Sequence, residues 1–194
     1  MEHGYKTNVK HLFFKYNYLG RGNMKVIFIN KDNLKEEEID EEVVRVKGLI
    51  INSNNEILLG YSHNCYQFPG GHKEDKETLS DVLKREIKEE TGIELEIENK
   101  AFLCIKYYTK NYFNTGKNRC NKIYYIEVKT NKKPDLSNTN YTKEELEGNY
   151  ELRYHKLSEV KQVLLDNCDK HSISKTIANE MIMVLDCYFE KEQD

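Results

Sequence analysis

Apolar positions gather in short runs through the first third of the chain: Leu12 to Tyr18, Met24 to Ile29, Val43 to Asn52 and Glu56 to Tyr61. These runs are rich in aromatic and β-branched side chains and are bounded by turn residues, so each is read as a strand. Gly20, Arg21, Gly22 and Asn23 suit the turn of a first hairpin, and Ser53, Asn54 and Asn55 that of a second. Between the hairpins, Lys31 to Glu42 is a charge run with the character of a solvated linker. Glu94 to Lys110 and Lys122 to Thr130 again lack a helical period and read as strands. Asn131 to Gly148, with Pro134 and the run Ser137-Asn138-Thr139-Asn140, reads as a long surface loop, and long loops in compact domains are often functional. Ser158 to Asn167, with Ser158 as N-cap, has the pattern of a short amphipathic helix, and Ile173 to Tyr188 that of a longer one. The class expected is α+β: a mixed sheet, one helix inserted between strands, and helices after the sheet. Residues 1–42 would form an N-terminal hairpin extension with its acidic linker, and residues 43–194 one globular domain.

The inserted helix breaks the usual pattern. Pro69, Gly70 and Gly71 let the chain turn sharply and approach a ligand closely. Thr78 with Asp81 three residues on makes an N-terminal capping signal, and Gly92 a C-terminal one, so the spacing predicts a helix from about Leu79 to Thr91. At 100° per residue with Glu86 at zero, Leu79 falls at about 20°, Val82 at about −40°, Leu83 at about 60°, Glu89 at about −60° and Glu90 at about 40°. A solvated charged face would lie opposite the apolar stripe; these carboxylates continue it. Glu86, Glu89 and Glu90 are also i, i+3 and i+4 neighbours, and each like-charge pair costs a few tenths of a kcal/mol even when exposed. Either some of them hold protons or a cation sits among them. Hard oxygen donors of this kind favour Mg²⁺ or Mn²⁺, and Mg²⁺ usually also binds substrate phosphate oxygens.

Composition narrows the field. Thirty Lys and Arg against 33 Asp and Glu in 194 residues leave a net charge of −3, with no basic half to act as a footprint for a nucleic acid polymer. No apolar stretch approaches the length of a membrane span, and the first residues lack a secretory pattern, so a cytoplasmic protein is expected. The five cysteines, Cys65, Cys104, Cys120, Cys168 and Cys187, include no C-x-x-C pair and suggest neither a zinc site nor a disulfide framework.

The order Gly71, five residues, Glu77, seven residues, Arg85-Glu86-Ile87, one residue, Glu89-Glu90, one residue, Gly92-Ile93 resembles the Nudix box, with every defining position filled. The box is a small part of the chain, but its fixed spacings make it specific. The resemblance implies an α/β/α sandwich around a mixed sheet and a metal-dependent pyrophosphohydrolase acting on a nucleoside di- or triphosphate derivative. It implies Mg²⁺, with Mn²⁺ as substitute, held by Glu86, Glu89, Glu90 and the carbonyl of Gly70. Glu86 is the first candidate for the general base, with Arg85 orienting a catalytic carboxylate and Glu77 supporting the helix and its loop. Some relatives take the base from a later loop, here Glu144, Glu145 or Glu147. Gly71, Tyr66, Glu145 and Glu147 are the substrate-binding candidates. ADP-ribose-cleaving members tend to carry a proline well beyond the box, whereas none stands between Pro69 and Pro134 here. Tyr107, Tyr108 and Tyr112 lie near where dinucleoside-polyphosphate hydrolases carry a tyrosine. A small-molecule nucleotide is the expected partner, and the N-terminal strands leave room for a homodimer interface or a substrate lid. The alternative is a non-catalytic Nudix-fold module that binds a nucleotide and regulates a partner, for which a degraded box would be more natural; isomerase chemistry would need further residues outside the box.

Overall fold

A computed structural model describes residues 15–17, 24–168 and 172–193. Among these described residues nine strands form one sheet: β1 (Lys15–Asn17), β2 (Lys25–Asn30), β3 (Glu41–Ile51), β4 (Glu56–Ser62), β5 (Cys65–Gln67), β6 (Gly70–His72), β7 (Leu103–Thr109), β8 (Arg119–Lys129) and β9 (Glu151–Lys156). Their order is β1-β2-β7-β8-β3-β4-β5, with β6 paired to β3 and β9 to β4. The sheet is mixed: β3 runs parallel to β8 and β2 parallel to β7, while β7 and β8 are antiparallel. Helix α1 (Leu79–Thr91) lies on one face; α3 (Val160–Asn167) and α4 (Ser172–Lys191) lie on the other. The fold is thus the expected α+β sandwich, its sheet not closed.

The alternation of β3 divides its side chains between two cores. Val46 and Ile50 join Val82, Leu83 and Ile87 under α1. Leu49 and Ile51 join Tyr125, Val184 and Leu185 under α4. Each large aliphatic side chain buried this way contributes roughly 1.5–3 kcal/mol, so the two cores fix how α1 sits over the sheet.

Both expected hairpins are seen as antiparallel pairs, β1 with β2 and β3 with β4, although Gly20 to Asn23 lie outside the described residues. The strand β2 is also hydrogen-bonded along its length to β7, so Lys25–Asn30 extends the same sheet. Three expectations need correction. Residues 94–102 are not a strand: Ile93, Ile97 and Ala101 turn into the core beneath α1, and Glu94 and Glu96 pair with Lys88 and Lys84 of that helix. Their alternation of apolar and charged residues mimics a strand without a partner. The stretch 131–148 is not structureless, since it holds a 3-10 turn at Leu136–Asn138 and the helix α2 (Lys143–Glu147), capped by Thr142 and Glu145. The N-cap of α3 is Glu159, not Ser158. Strands β5, β6 and β9 carry too little hydrophobic pattern to be read in advance; β6 contains two glycines, and β9 alternates charged residues with Leu152 and Tyr154.

Helix α1 is delimited as its sequence predicts. The Thr78 side chain accepts from the N–H of Asp81, Asp81 reaches back to the N–H of Thr78, and Gly92 closes the helix in the left-handed region at φ 70°. A Cβ at Gly92 would collide with the backbone carbonyl of Asp135, so the site excludes a side chain on two grounds. Gly92→Ala is therefore expected to destabilise the fold by more than about 1 kcal/mol, read as a lower urea midpoint at unchanged m-value; an unshifted midpoint would refute this account of the helix end.

Candidate active site

The box helix brings most of the expected residues together. Arg85 uses its whole guanidinium fork: Nε and Nη2 donate to the two Glu77 oxygens at 2.8 and 3.1 Å, Nη1 donates to Glu86 Oε1 at 2.7 Å, and Nη2 also donates to the carbonyl of His72 at 3.0 Å. Its contact with Glu89 is longer, at 3.4 Å, so the i, i+4 pair is the minor one. Bidentate Arg–carboxylate pairs are strong and directional. Glu77 further accepts from the N–H of Glu74, so it ties the approach loop to the helix and holds Arg85 in place. Its hydrogen bond from Arg85 keeps the Glu77 carboxyl below the ordinary range.

The carboxylates differ in depth. Glu90 is 6% exposed, Glu86 is half-buried and Glu89 is the most open of the three. On the wheel the buried side is centred toward Leu83, Ile87 and Glu90, which leaves Glu89 at its edge. Glu90 Oε2 accepts from the Tyr150 hydroxyl at 2.7 Å, and its Oε1 accepts at 3.4 Å from the N–H of Gly70. Burial pushes the Glu90 carboxyl up to about 8, assisted by Glu145 and opposed by the Tyr150 hydrogen bond and by Lys47. Burial also raises Glu86, with Arg85 opposing and Glu89 and Glu145 adding to it. Gly71 lies flat against the Glu86 carboxylate, where a Cβ would collide with it.

The later loop is docked against the end of α1. The N–H groups of Asp135 and Asn140 donate to the carbonyls of Thr91 and Glu89 at 2.9 and 2.8 Å, which satisfies two helix-end acceptors. The loop carries Glu145 to where its charge acts on Glu86, Glu90 and Tyr150, while one of its oxygens caps α2. Glu144 and Glu147 are exposed, and Glu147 faces Lys143. Tyr66 is elsewhere, 8% exposed in the α4-side core, its hydroxyl accepting from Arg153 Nη1 and its ring packed on Tyr61 and His155. Tyr107 lies on that side too, donating to Glu180.

Sequence reasoning missed Tyr150. Its signal was indirect: Gly60 interrupts an apolar strand, and the Tyr150 ring fills the space a Cβ there would need.

Among the described residues, no three carboxylate, imidazole or thiolate groups already close around an ion. The donor set still suits Mg²⁺, which needs only one or two carboxylates because waters and phosphate oxygens complete its shell. Two half-buried or buried carboxylates with raised affinity for protons are also groups that a cation would relieve.

Without metal, the folded protein binds a proton at Glu90 up to about pH 8, whereas an unfolded chain releases it near 4.3. The stabilising contribution of that proton is complete below the unfolded value and is lost as pH rises through the window between the two, with a slope of at most about 1.4 kcal/mol per pH unit. Urea unfolding in EDTA should thus show stability falling from pH 5 to pH 8 more steeply in the wild type than in Glu90→Gln; equal slopes would contradict the burial of this carboxyl as an acid.

A family model described as the NUDIX domain matches residues 41–175. An ADP-ribose pyrophosphatase of Methanocaldococcus jannaschii is 34% identical over 84 residues, 41% of this chain and 50% of that protein. An 8-oxo-dGTP diphosphatase of Buchnera aphidicola is 36% identical over 70 residues, 34% of this chain and 53% of that protein. The chain spans about half the length of the curated relatives it matches. A solved Caenorhabditis elegans Ap4A hydrolase complex is similar with a TM-score of 0.48 at 17% identity, covering 78% of this chain and 98% of that one. With the family model spanning well over half its length and every box position filled, the chain belongs to the NUDIX family.

Proposed function

We propose that the protein is a Mg²⁺-dependent pyrophosphohydrolase that cleaves a diphosphate linkage in a nucleoside di- or triphosphate derivative by attack of water on phosphorus. The observation that carries this reading is the placing of Glu86 against Gly71 and of Glu90 against Gly70, with Arg85 gripping Glu77 and Glu86 together. An inert helix end would not keep a buried glutamate whose carboxyl is pushed up to about 8. The named activities of the two curated relatives, one on ADP-ribose and one on 8-oxo-dGTP, both break phosphoric anhydrides and support the reaction class.

Glu86, Glu89, Glu90 and the Gly70 carbonyl would hold the ion. Once bound, Mg²⁺ would polarise a water and neutralise charge developing on the phosphate oxygens. Glu86 is the preferred base. Arg85 holds its Oε1 and leaves Oε2 free to take the proton, and partial burial makes it more basic than a solvated glutamate. Arg85 orients that carboxylate and Glu77 orients Arg85. Tyr150 and the Gly70 N–H fix Glu90, so Tyr150 joins the set as a positioning residue. Glu145 is the member of the later loop best situated to act beside Glu86 and Glu90.

Release of phosphate or mononucleotide would be followed with Mg²⁺ across nucleotide sugars, dinucleoside polyphosphates and (deoxy)nucleoside triphosphates. Glu89→Gln and Glu90→Gln are expected to lower kcat/KM on the order of 100-fold or more, and Tyr150→Phe about 10-fold through weaker metal affinity. No turnover of any compound by the wild type would end the hydrolase reading; undiminished turnover in both glutamine variants would end the metal-site assignment.

A further inference from the structure

The strand β6 has two different faces. Gly71 looks toward Glu86 under α1, whereas the next residue, His72, is paired with Arg45 of β3 and shares with it the face covered by α4. On that face β3 presents Arg45 and then Lys47, with Cα atoms roughly 7 Å apart, the spacing of two residues along a strand. Lys47 stands between Gly70 on one side and Tyr125 on the other.

Neither cation has an acidic partner in contact among the described residues. Arg45 Nε donates to His72 Nε2 at 2.9 Å. Because a guanidinium has no acceptor, that contact requires Nε2 to be unprotonated and leaves the proton of a neutral His72 on Nδ1. The charges that act most strongly on Lys47 are those of Glu180, Glu90 and Arg45. Both Glu180 oxygens accept tyrosine hydroxyls, from Tyr125 and Tyr107 at 2.7 Å each. The Glu90 oxygens are taken by Tyr150 and Gly70. Burial draws the Lys47 ammonium down from its ordinary value, opposed by Glu180 and Glu90, and burial does the same to His72, with Arg45, Lys47 and Arg119 adding to it. Arg119 is already paired with Glu41 and stacked on Tyr112. Two cations on one strand face, neither in an ion pair among the described residues, are the counterpart of the glutamates on the other side of β6. An anion would satisfy them as a cation satisfies the glutamates.

We propose that Arg45 and Lys47, with the Nδ1–H of His72, form an anion cradle for the phosphoryl group of the substrate that the glutamate side does not hold. The diphosphate then straddles β6 at Gly70 and Gly71, where the strand carries no side chain to obstruct it. This assignment rests on the pyrophosphohydrolase reading, but its test does not require turnover. Binding of inorganic pyrophosphate and of methylenediphosphonate to the whole chain would be measured by calorimetry in EDTA. The wild type should bind both; Arg45→Met and Lys47→Met should each weaken binding by about 10-fold, and the double variant should abolish it. Lys47→Arg should retain binding, and the remote Lys161→Met should match the wild type. Because neither replaced cation is in an ion pair among the described residues, the Met variants should melt close to the wild type without ligand. Absence of pyrophosphate binding by the wild type would overturn the proposal, as would wild-type affinity in both Met variants. A binding loss that tracks a lowered melting temperature and is not restored in Lys47→Arg would overturn it as well. Binding that follows the expected pattern in a protein that hydrolyses no nucleotide would support the cradle while removing the hydrolase reading.

Discussion

A carboxylate that is almost fully buried must be held, and much of the molecule is arranged around holding Glu90. Its two oxygens reach the hydroxyl of Tyr150, the residue before β9, and a backbone N–H from β6, so one side chain joins the box helix to two separate parts of the chain. Each partner imposes its own requirement. Tyr150 can approach only because Gly60 leaves room for its ring, and β6 can lie beside the helix only because Gly71 presents no Cβ to Glu86. Removing one partner of such a buried group leaves the other without compensation, which costs about 1–3 kcal/mol or more for a charged group. The site and the packing are in this sense one object.

Charge is distributed on the same principle. Arg85 sits in the midst of three glutamates and meets Glu77 with paired hydrogen bonds, so the acidic end of the helix is partly balanced from within. Across β6 the signs reverse, with Arg45 and Lys47 on the opposite face of the sheet. A strand of three residues therefore separates an acidic region from a basic one. A phosphate chain and its metal carry the complementary pair of charges.

The helix was legible in the sequence down to its caps because capping, glycine termination and the position of the carboxylates are local properties of Thr78, Asp81, Glu86, Glu89, Glu90 and Gly92. The bounds of β3 and β4 were nearly as clear, since their runs are long and β-branched. What escaped depends on contacts distant in sequence. Residues 94–102 alternate like a strand, but no neighbouring strand is available to them. Strands β6 and β9 exist because β3 and β4 offer them edges, and their own residues say little. Tyr150 is one of 14 tyrosines, and only its place opposite Gly60 distinguishes it. The glutamates of the later loop look alike in sequence; the docking of that loop on α1 separates Glu145 from Glu144 and Glu147.

That docking uses backbone donors from Asp135 and Asn140 and backbone acceptors from Thr91 and Glu89. Side-chain identity at these four positions does not enter the hydrogen bonds, so the loop can change nearly all of its residues and still be moored at the same two points. Proline is the exception at 135 and 140, since it lacks the N–H that makes the mooring. A fold built this way separates the part of the chain that must stay constant, the helix with its acids, from a part free to vary above it.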